Sequence, residues 1–458
     1  VGGGLVLNGT TTIKLDLNES PTGANDKVSV SAANLTLSGG TVNFVINLLN
    51  GELGAGTYSL IDGGATMVAI PAPTMNLVGF PGGARQTFAL QRAPNGSTPA
   101  FVKLVVSGEP PASLTWTGAG GTNWDLNTTS NFSGGTTATF FNLDTVTFDD
   151  SGITGGVTLA GAVQPRNVVV NNGVLAYTLG GTGCVGCTGS FVKSGTASLT
   201  FTPGSLNVMT TRVVGSDKVS VSVAAAATLR VGMAALALDI PVGTYITAIN
   251  TATGVVTLSQ PCAVSLTSTV TYEARNTFPG GTFINGGSIV LSNAIANRWA
   301  LGAGSVTFNG GTLSLAGVTG SNGLDTGMFS NPLIVPAGQT GTLNFMQRGR
   351  QDGSLTGGGI FNVVVKYIRG DFYGDWSGFN GRLNISAAQS GSEFRMAENY
   401  TPKGFPNCAV NLGNNVTLKH VGILSQGAGT SITITGKFDH ALHPKPAKPE
   451  PNRLRFLS

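Results

Sequence analysis

The chain has 458 residues, of which 68 are glycine and 10% are charged, and its formal net charge is +4. A hydrophobic content of 41% can fill a core, which excludes a disordered, solvated chain. The glycines follow no three-residue period and there are only 21 prolines, which excludes a collagen-like helix. Abundant Val, Ile, Thr and Phe, together with Gly and Asn, indicate short strands joined by tight turns, so the composition predicts an all-β protein.

The charge and the cysteines exclude further classes. Lys and Arg are too few and too scattered to predict a nucleic-acid partner. The most apolar stretch, residues 221–243, carries Arg230 and Asp239, so no transmembrane segment is predicted. Cys184 and Cys187 lack a second Cys-x-x-Cys pair and a nearby His, which favours a local disulfide or two unreactive thiols over a metal site. No cofactor is predicted.

A phrase of strand, x-Gly-Gly-Ser/Thr and strand recurs along the chain. It reads LTLSGGTVNFVI at 35–46, TFINGGSIVL at 282–291 and VTFNGGTLSL at 306–315. Gly287 and Gly311 hold matching places in two of these phrases, about 24 residues apart. A period of this length is typical of one coil of a parallel β-solenoid, in which successive coils hydrogen-bond to each other and share one core.

The pattern divides the chain into five segments. Residues 1–110 are predicted to be coils that close one repeat unit, and residues 111–207 a second unit that opens with tryptophans. Residues 208–275 contain little glycine and are predicted to form a small β module inserted between coils. Coils are predicted to resume over 276–440, and 441–458 is a Pro- and Lys-rich tail or joining strand.

The order of motifs in the second unit is more specific. It reads TWTGAGGTNWDLNTTSNFSGG at 115–135 and DTVTFDDSG at 144–152. This order resembles the passenger-associated repeats of bacterial autotransporter-type surface proteins, over roughly 115–207 and 276–440 and more weakly over 1–110. The resemblance implies a right-handed parallel β-helix, exported to the cell surface. Unlike that family, the sequence shows no terminal run of amphipathic membrane strands, so self-secretion is not implied.

Parallel β-helices also include polysaccharide-degrading enzymes, whose sites need clustered carboxylates. Asp149 and Asp150 are one candidate pair, but their context, FDDSG, favours a solvated turn. No nucleophile with a base and an orienting group is recognisable. The sequence therefore predicts that the protein is not an enzyme.

A second cluster lies in the stretch RGDFYGDW, residues 369–376. Asp371 and Asp375 supply carboxylates, and Tyr373 and Trp376 supply rings on which a sugar can stack. These four residues are the candidate contact for a carbohydrate or another surface, although structural roles at a sheet edge are favoured. The tripeptide Arg-Gly-Asp is interpreted as a chance match.

Repetition and low charge favour a structural protein of a bacterial cell surface, a β-helical subunit of an extracellular filament. Its predicted partner is itself, through head-to-tail contacts between copies or between neighbouring repeats of a longer chain. A terminal segment such as 450–458 is expected to form the joint by strand addition. A carbohydrate-binding adhesin, with a surface polysaccharide as its partner, is the first alternative, and a polysaccharide-degrading enzyme is the second.

Overall fold

The chain folds into two compact units. A computed structural model describes residues 4–30, 34–49, 51–63, 65–241, 243–292, 299–315, 328–345, 349–365, 370–372, 374–390, 392–396, 408–413, 416–420 and 432–434. The first unit comprises Val1–Ser113 and Phe141–Asp144, and the second comprises Leu114–Phe140 and Thr145–Ser458. The predicted tail or joining strand, 441–458, lies outside the described residues.

The first unit contains two four-stranded sheets. Its strands are β1 (Leu5–Leu17), β2 (Val28–Val30), β3 (Leu35–Leu48), β4 (Gly56–Gly63), β5 (Met67–Val68), β6 (Thr74–Val78), β7 (Gln86–Arg92) and β8 (Phe101–Gly108). In one sheet, β3 pairs in parallel with β1, β5 and β6. In the other, β2 and β4 are parallel, but β8 is antiparallel to both β4 and β7. The expectation of parallel coils throughout 1–110 does not hold for β4, β7 and β8. A short connection makes β7 and β8 an antiparallel hairpin, and β8 also pairs antiparallel with β4.

The long strands β1 and β3 bend at glycines. Gly9, Gly39 and Gly40 have φ values of 65°, 64° and 69°, which residues with a Cβ rarely adopt. A Cβ on Gly40 would overlap the carbonyl oxygen of Gly9. On either side of the bend in β3, alternate residues such as Leu37 and Val42 are buried. The Gly-Gly phrase therefore turns the chain and also lets two strands stack closely.

A buried ion pair holds residues 141–144 in the first unit. The carboxylate of Asp144 accepts hydrogen bonds from Nε and Nη2 of Arg85 at 2.8 and 3.0 Å. It also accepts from the main-chain nitrogens of Ala112 at 2.8 Å and Phe141 at 3.0 Å. These bonds offset the cost of burying the charge, so loss of one partner would leave an uncompensated ion in the core.

The second unit consists mainly of short strands. Before the predicted insert these are β9 (Ser113–Trp116), β10 (Asn123–Trp124), β11 (Phe132–Ser133), β12 (Thr145–Phe148), β13 (Gly156–Leu159), β14 (Ala162–Val163), β15 (Val168–Asn171), β16 (Tyr177–Gly181), β17 (Cys184–Val185), β18 (Phe191–Ser194) and β19 (Ser198–Pro203). Next come β20 (Ser205–Arg212), β21 (Lys218–Ser220), α1 (Val223–Thr228), β22 (Ala234–Leu236), β23 (Ile246–Asn250), β24 (Val255–Leu258) and β25 (Leu266–Glu273). The remaining strands are β26 (Thr282–Ile284), β27 (Ser288–Leu291), β28 (Val306–Phe308), β29 (Thr312–Leu315), β30 (Met328–Phe329), β31 (Leu333–Ile334), β32 (Thr340–Phe345), β33 (Gly349–Gln351), β34 (Leu355–Thr356), β35 (Ile360–Val365), β36 (Gly370–Phe372), β37 (Arg382–Ala387), β38 (Ser392–Met396), β39 (Ala409–Leu412), β40 (Val416–His420) and β41 (Ile432–Ile434).

Most of these strands form long parallel sheets. An eleven-stranded sheet has the order β10-β13-β16-β19-β27-β29-β32-β35-β37-β39-β41, and a nine-stranded sheet has the order β11-β9-β12-β15-β18-β26-β28-β31-β34. A third sheet contains β30, β33, β36, β38 and β40, and β14 pairs with β17. We call each pass of the chain through these sheets a rung. The protein is thus all-β with long parallel sheets, an arrangement compatible with the predicted β-helix.

The rungs keep their register across the predicted insert. Phe191 of β18 pairs with Thr282 of β26, and Ser198 of β19 pairs with Ser288 of β27. Ser288 pairs in turn with Thr312 of β29. The Gly-Gly phrases at 282–291 and 306–315 therefore lie in neighbouring rungs.

The tryptophans that open the second unit belong to an aromatic core. The ring centres of Trp116 and Phe132 are 5.3 Å apart, and those of Trp124 lie 5.5 Å from Phe140 and 5.4 Å from Phe148. Trp116 and Trp124 are both fully buried. Edge-to-face contacts of this kind stabilise a core beyond the area that they bury.

Residues 205–273 form a module of their own, which we call the inserted barrel. Its sheet has the order β22-β25-β20-β21-β24-β23, and neighbouring strands along this order are antiparallel. A bridge between Ala234 and Tyr245, and a 2.8 Å bond from Ile246 N to Met233 O, join the two outer strands, so the sheet curls round on itself as a barrel. The predicted insert, 208–275, overlaps this module almost completely.

No helix in the described part of the chain is long and apolar enough to cross a membrane.

Candidate functional site

Trp376 belongs to the core, which corrects its prediction as a sugar-stacking residue. Its side chain is 1% exposed, and its ring centre lies 4.7 Å from that of Phe372, 6.1 Å from Phe361 and 6.2 Å from Phe394. The indole Nε1 donates to Gly353 O at 3.3 Å. The three phenylalanines bury the apolar ring and the carbonyl of Gly353 satisfies its N–H group, so the buried ring is not open to a ligand.

The other predicted residues of this stretch have separate roles. Asp371 lies on β36, where its register partners are Arg350 of β33 and Arg395 of β38. Asp375 is exposed in the following turn, where Oδ1 accepts from the N–H and the hydroxyl of the serine two residues on, at 2.9 and 2.6 Å. Tyr373 lies outside the described residues. Asp375 therefore shapes a turn, and strand register decides which residues neighbour Asp371.

Asp149 and Asp150 hold turns. Asp150 accepts hydrogen bonds from the main-chain nitrogens of Gly173, Val174 and Leu175 at 2.8 to 3.1 Å. These bonds, that from Leu175 foremost, lower the pKa of Asp150 below its ordinary value. Asp149 Oδ1 accepts from the N–H two residues on at 2.9 Å. Both carboxylates thus bind main chain, and Asp150 ties its turn to the next rung.

Cys184 and Cys187 are buried free thiols and are not joined in a disulfide. Burial raises the pKa of Cys184 to about 11, against an opposing effect of the Arg275 charge, and burial raises the pKa of Cys187 to about 12. Thiols with such pKa values are almost wholly protonated at neutral pH, which makes them weak nucleophiles and weak metal ligands. Among the described residues, no three His, Cys, Asp or Glu side chains lie close enough to hold a metal ion.

A row of short polar residues crosses the outer face of the eleven-stranded sheet. Successive strands place only Ser, Thr or Asn at this register position, namely Ser198, Ser288, Thr312, Thr342, Asn362, Asn384, Asn411 and Thr433. We call this row the polar ladder. Asn384 Nδ2 donates to Asn362 Oδ1, and Asn411 Nδ2 donates to Asn384 Oδ1, both at 2.8 Å. The rungs are therefore joined through side chains as well as main chain.

The Asn of the Gly-Gly phrases forms a second, shorter row. Asn309 Nδ2 donates to Asn285 Oδ1 at 2.9 Å, and Asn285 Nδ2 donates to Ser194 Oγ at 3.3 Å. Sequence reasoning did not single out these asparagines and did not predict that they meet. The repeat of the phrase was the only signal, because the contact follows from strand register.

Lys193 is a buried cation at a glycine corner. Its side chain is fully buried, and Nζ donates to Ser194 O and, at 3.1 Å, to Gly195 O. Desolvation lowers the pKa of Lys193 from its ordinary 10.5 to about 8. A Cβ on Gly287 of the next rung would lie 2.6 Å from the carbonyl oxygen of Gly195, which also accepts from the amine, and 2.9 Å from Nζ, so a glycine is required at this corner. The ammonium group binds turn carbonyls and thus has a structural use.

No family model matches the chain, and neither a curated protein nor a solved structure matches it. The resemblance to autotransporter-type passengers therefore stays a prediction.

The described surface contains both hydrogen-bonded polar rows and exposed apolar side chains. Across the eleven-stranded sheet the rungs bond their outer polar groups to each other. Large apolar side chains are exposed at a turn between rungs, as at Val174 (88%), and on the inserted barrel, as at Met209 (60%) and Leu238 (85%).

Proposed function

We propose that the chain is a structural segment of an extracellular bacterial surface protein. In this proposal the second unit is a right-handed parallel β-helix, which acts as a scaffold and joins further copies or neighbouring repeats end to end. The observation that carries the proposal is the strand pairing of the eleven-stranded sheet, which runs in one order through β41 and resumes after the inserted barrel with Ser198 beside Ser288.

Stacked rungs suit a scaffold because each rung adds the same contacts to its neighbour. Stability then grows along the stack, as in other repeat proteins, and does not depend on a central cleft. The polar ladder and the asparagines of the Gly-Gly phrases add side-chain bonds between rungs. Such an arrangement supports the proposed role as a scaffold or spacer.

The two alternatives are less well supported. A polysaccharide-degrading enzyme needs a paired acid and base, and Asp149, Asp150 and Asp375 instead accept bonds from turn residues. An adhesin that binds surface polysaccharide at residues 371–376 loses its strongest contact, because Trp376 is buried. Both alternatives therefore lack the side chains that their chemistry requires at these positions.

Sedimentation velocity and negative-stain electron microscopy of the full chain test end-to-end assembly. Over a wide concentration range we expect particles that grow in length and keep one width, because a parallel edge strand offers unpaired main-chain groups to the next copy. A chain that stays monomeric at every concentration would contradict assembly of separate copies. Location is tested separately by protease treatment of intact producing cells, where cleavage only after lysis would contradict the surface assignment.

A further inference from the structure

The inserted barrel has an open seam between β20 and β21. β20 pairs with β25 along its whole length, from Ser205 to Arg212. Its pairing with β21 is confined to Thr211 and Ser220. On that side, the edge of β20 before Thr211 faces no strand in the described part of the chain. The N–H and C=O groups of such an edge are a template for a further strand.

A groove runs beside this edge, because the chain turns into α1 soon after β21 ends. The groove has a volume of about 420 Å³ and only uncharged lining residues, among them Asn207 and Met209 of β20 and, opposite, Val221 and Ala225. Met209 is 60% exposed, and Val223 at the start of α1 is 53% exposed. An unpaired strand edge and an accessible apolar groove therefore coincide.

We propose that the seam binds an extended, uncharged polypeptide segment from another protein, which adds as a strand beside β20. The edge selects an extended backbone, since a strand satisfies alternating main-chain donors and acceptors. Val221 and Ala225 select small apolar side chains at alternate positions of the segment. A charged residue there would be desolvated without a partner, which disfavours Asp, Glu, Lys and Arg. The site would serve recognition and is independent of end-to-end assembly.

A fluorescently labelled peptide, Thr-Val-Thr-Val-Thr-Val with an amidated end, tests the seam in the full chain by anisotropy. The same peptide N-methylated at alternate residues should bind about tenfold more weakly or worse, because it cannot donate to β20. Ala225→Tyr fills the groove and should weaken binding by about tenfold as well. Its matched control is Ala227→Tyr, an exposed position of α1 outside the groove lining, which should change binding by less than about twofold.

Amide hydrogen exchange of the wild-type chain, measured with and without the peptide, tests the site without any substitution. Peptide binding should slow exchange of the amides in β20 and leave those of β24 unchanged. Absence of peptide binding, equal binding of the N-methylated peptide, or unchanged exchange in β20 would each overturn the proposal. So would dimerisation of the full chain that Ala225→Tyr abolishes, because a second copy would then be the occupant.

Discussion

The parallel rungs and the inserted barrel treat their polar groups in different ways. In the rungs, strands of the eleven-stranded sheet have neighbours on both sides, and outer side chains such as Asn384 bond to the rungs before and after. In the barrel, strand pairing nearly stops between β20 and β21, and Met209 and Leu238 are 60% and 85% exposed. In the rungs, repetition therefore lets side chains on the sheet face hydrogen-bond to each other. In the barrel, incomplete pairing leaves the edge of β20 for another molecule.

Close stacking of the rungs should be broken most severely by a side chain where two main chains touch. Gly183 and Gly161 precede Cys184 and Ala162, which pair in adjacent rungs. A Cβ on Gly183 would overlap the main chain of Gly161, whereas a Cβ on Gly161 would meet nothing within 4 Å. We expect Gly183→Ala to lower the free energy of unfolding by roughly 3 kcal/mol. Gly161→Ala should change it by less than about 1 kcal/mol.

Urea denaturation of the two glycine variants, followed through the transition of the second unit, measures this difference. The variants share the substitution and the position before a paired strand residue, and they differ in the contact between rungs. Equal losses in both would mean that the stacking at this corner is loose enough to accept a methyl group.

The buried amine of Lys193 should make the stability of the rungs depend on pH. Its pKa of about 8 in the folded chain lies below the ordinary 10.5. Between these values the unfolded chain holds the proton and the folded chain has lost it, so raising the pH favours folding and the free energy of unfolding rises. Lys193→Met, which keeps the aliphatic length, should lack this rise.

Thermal or urea unfolding at a series of pH values from about 7 to about 10 tests the effect of Lys193. The thiols of Cys184 and Cys187 act in the opposite sense, because their pKa values are raised from 9.0 and the unfolded chain loses those protons first. Since both proteins contain these cysteines, the difference between wild type and variant isolates the amine. Parallel pH profiles would show that Lys193 is solvated in the folded chain.

The polar ladder should contribute a smaller amount. Asn384→Ala removes two hydrogen bonds, the one that Asn384 donates to Asn362 and the one that it accepts from Asn411. The loss should lower the free energy of unfolding by about 1 kcal/mol. Thr340→Ala, at an exposed position of β32 in the same sheet, is the control and should cost less than about 0.5 kcal/mol. If the two variants are equally stable, hydrogen bonds to water replace the side-chain hydrogen bonds of the ladder at no cost. The ladder then does not distinguish the rungs from the barrel in stability.

The parts of the fold that follow from local chemistry could be predicted from the sequence, and those that follow from register could not. Gly287 and Gly311 were expected one repeat apart, and the strands that follow them are paired neighbours. The polar ladder was hidden because its bonded residues are 20, 22 and 27 positions apart, so loops of unequal length obscure the column. Trp376 was misplaced for a similar reason, since the direction of its side chain depends on how the loop after β36 returns to the core.

The inserted barrel leaves the rungs and rejoins them at one place. Ala274 N donates to Gly204 O at 3.1 Å, and Ser205 pairs with Glu273 at the base of the barrel. The two connections are therefore about one interstrand spacing apart, about 4.8 Å. Another small domain whose own ends lie that close would fit the same junction, because domain insertion is tolerated where the ends meet. Recombination at this joint would change what the molecule carries in a single step, and the same joint gives an engineer a defined position for grafting a foreign domain.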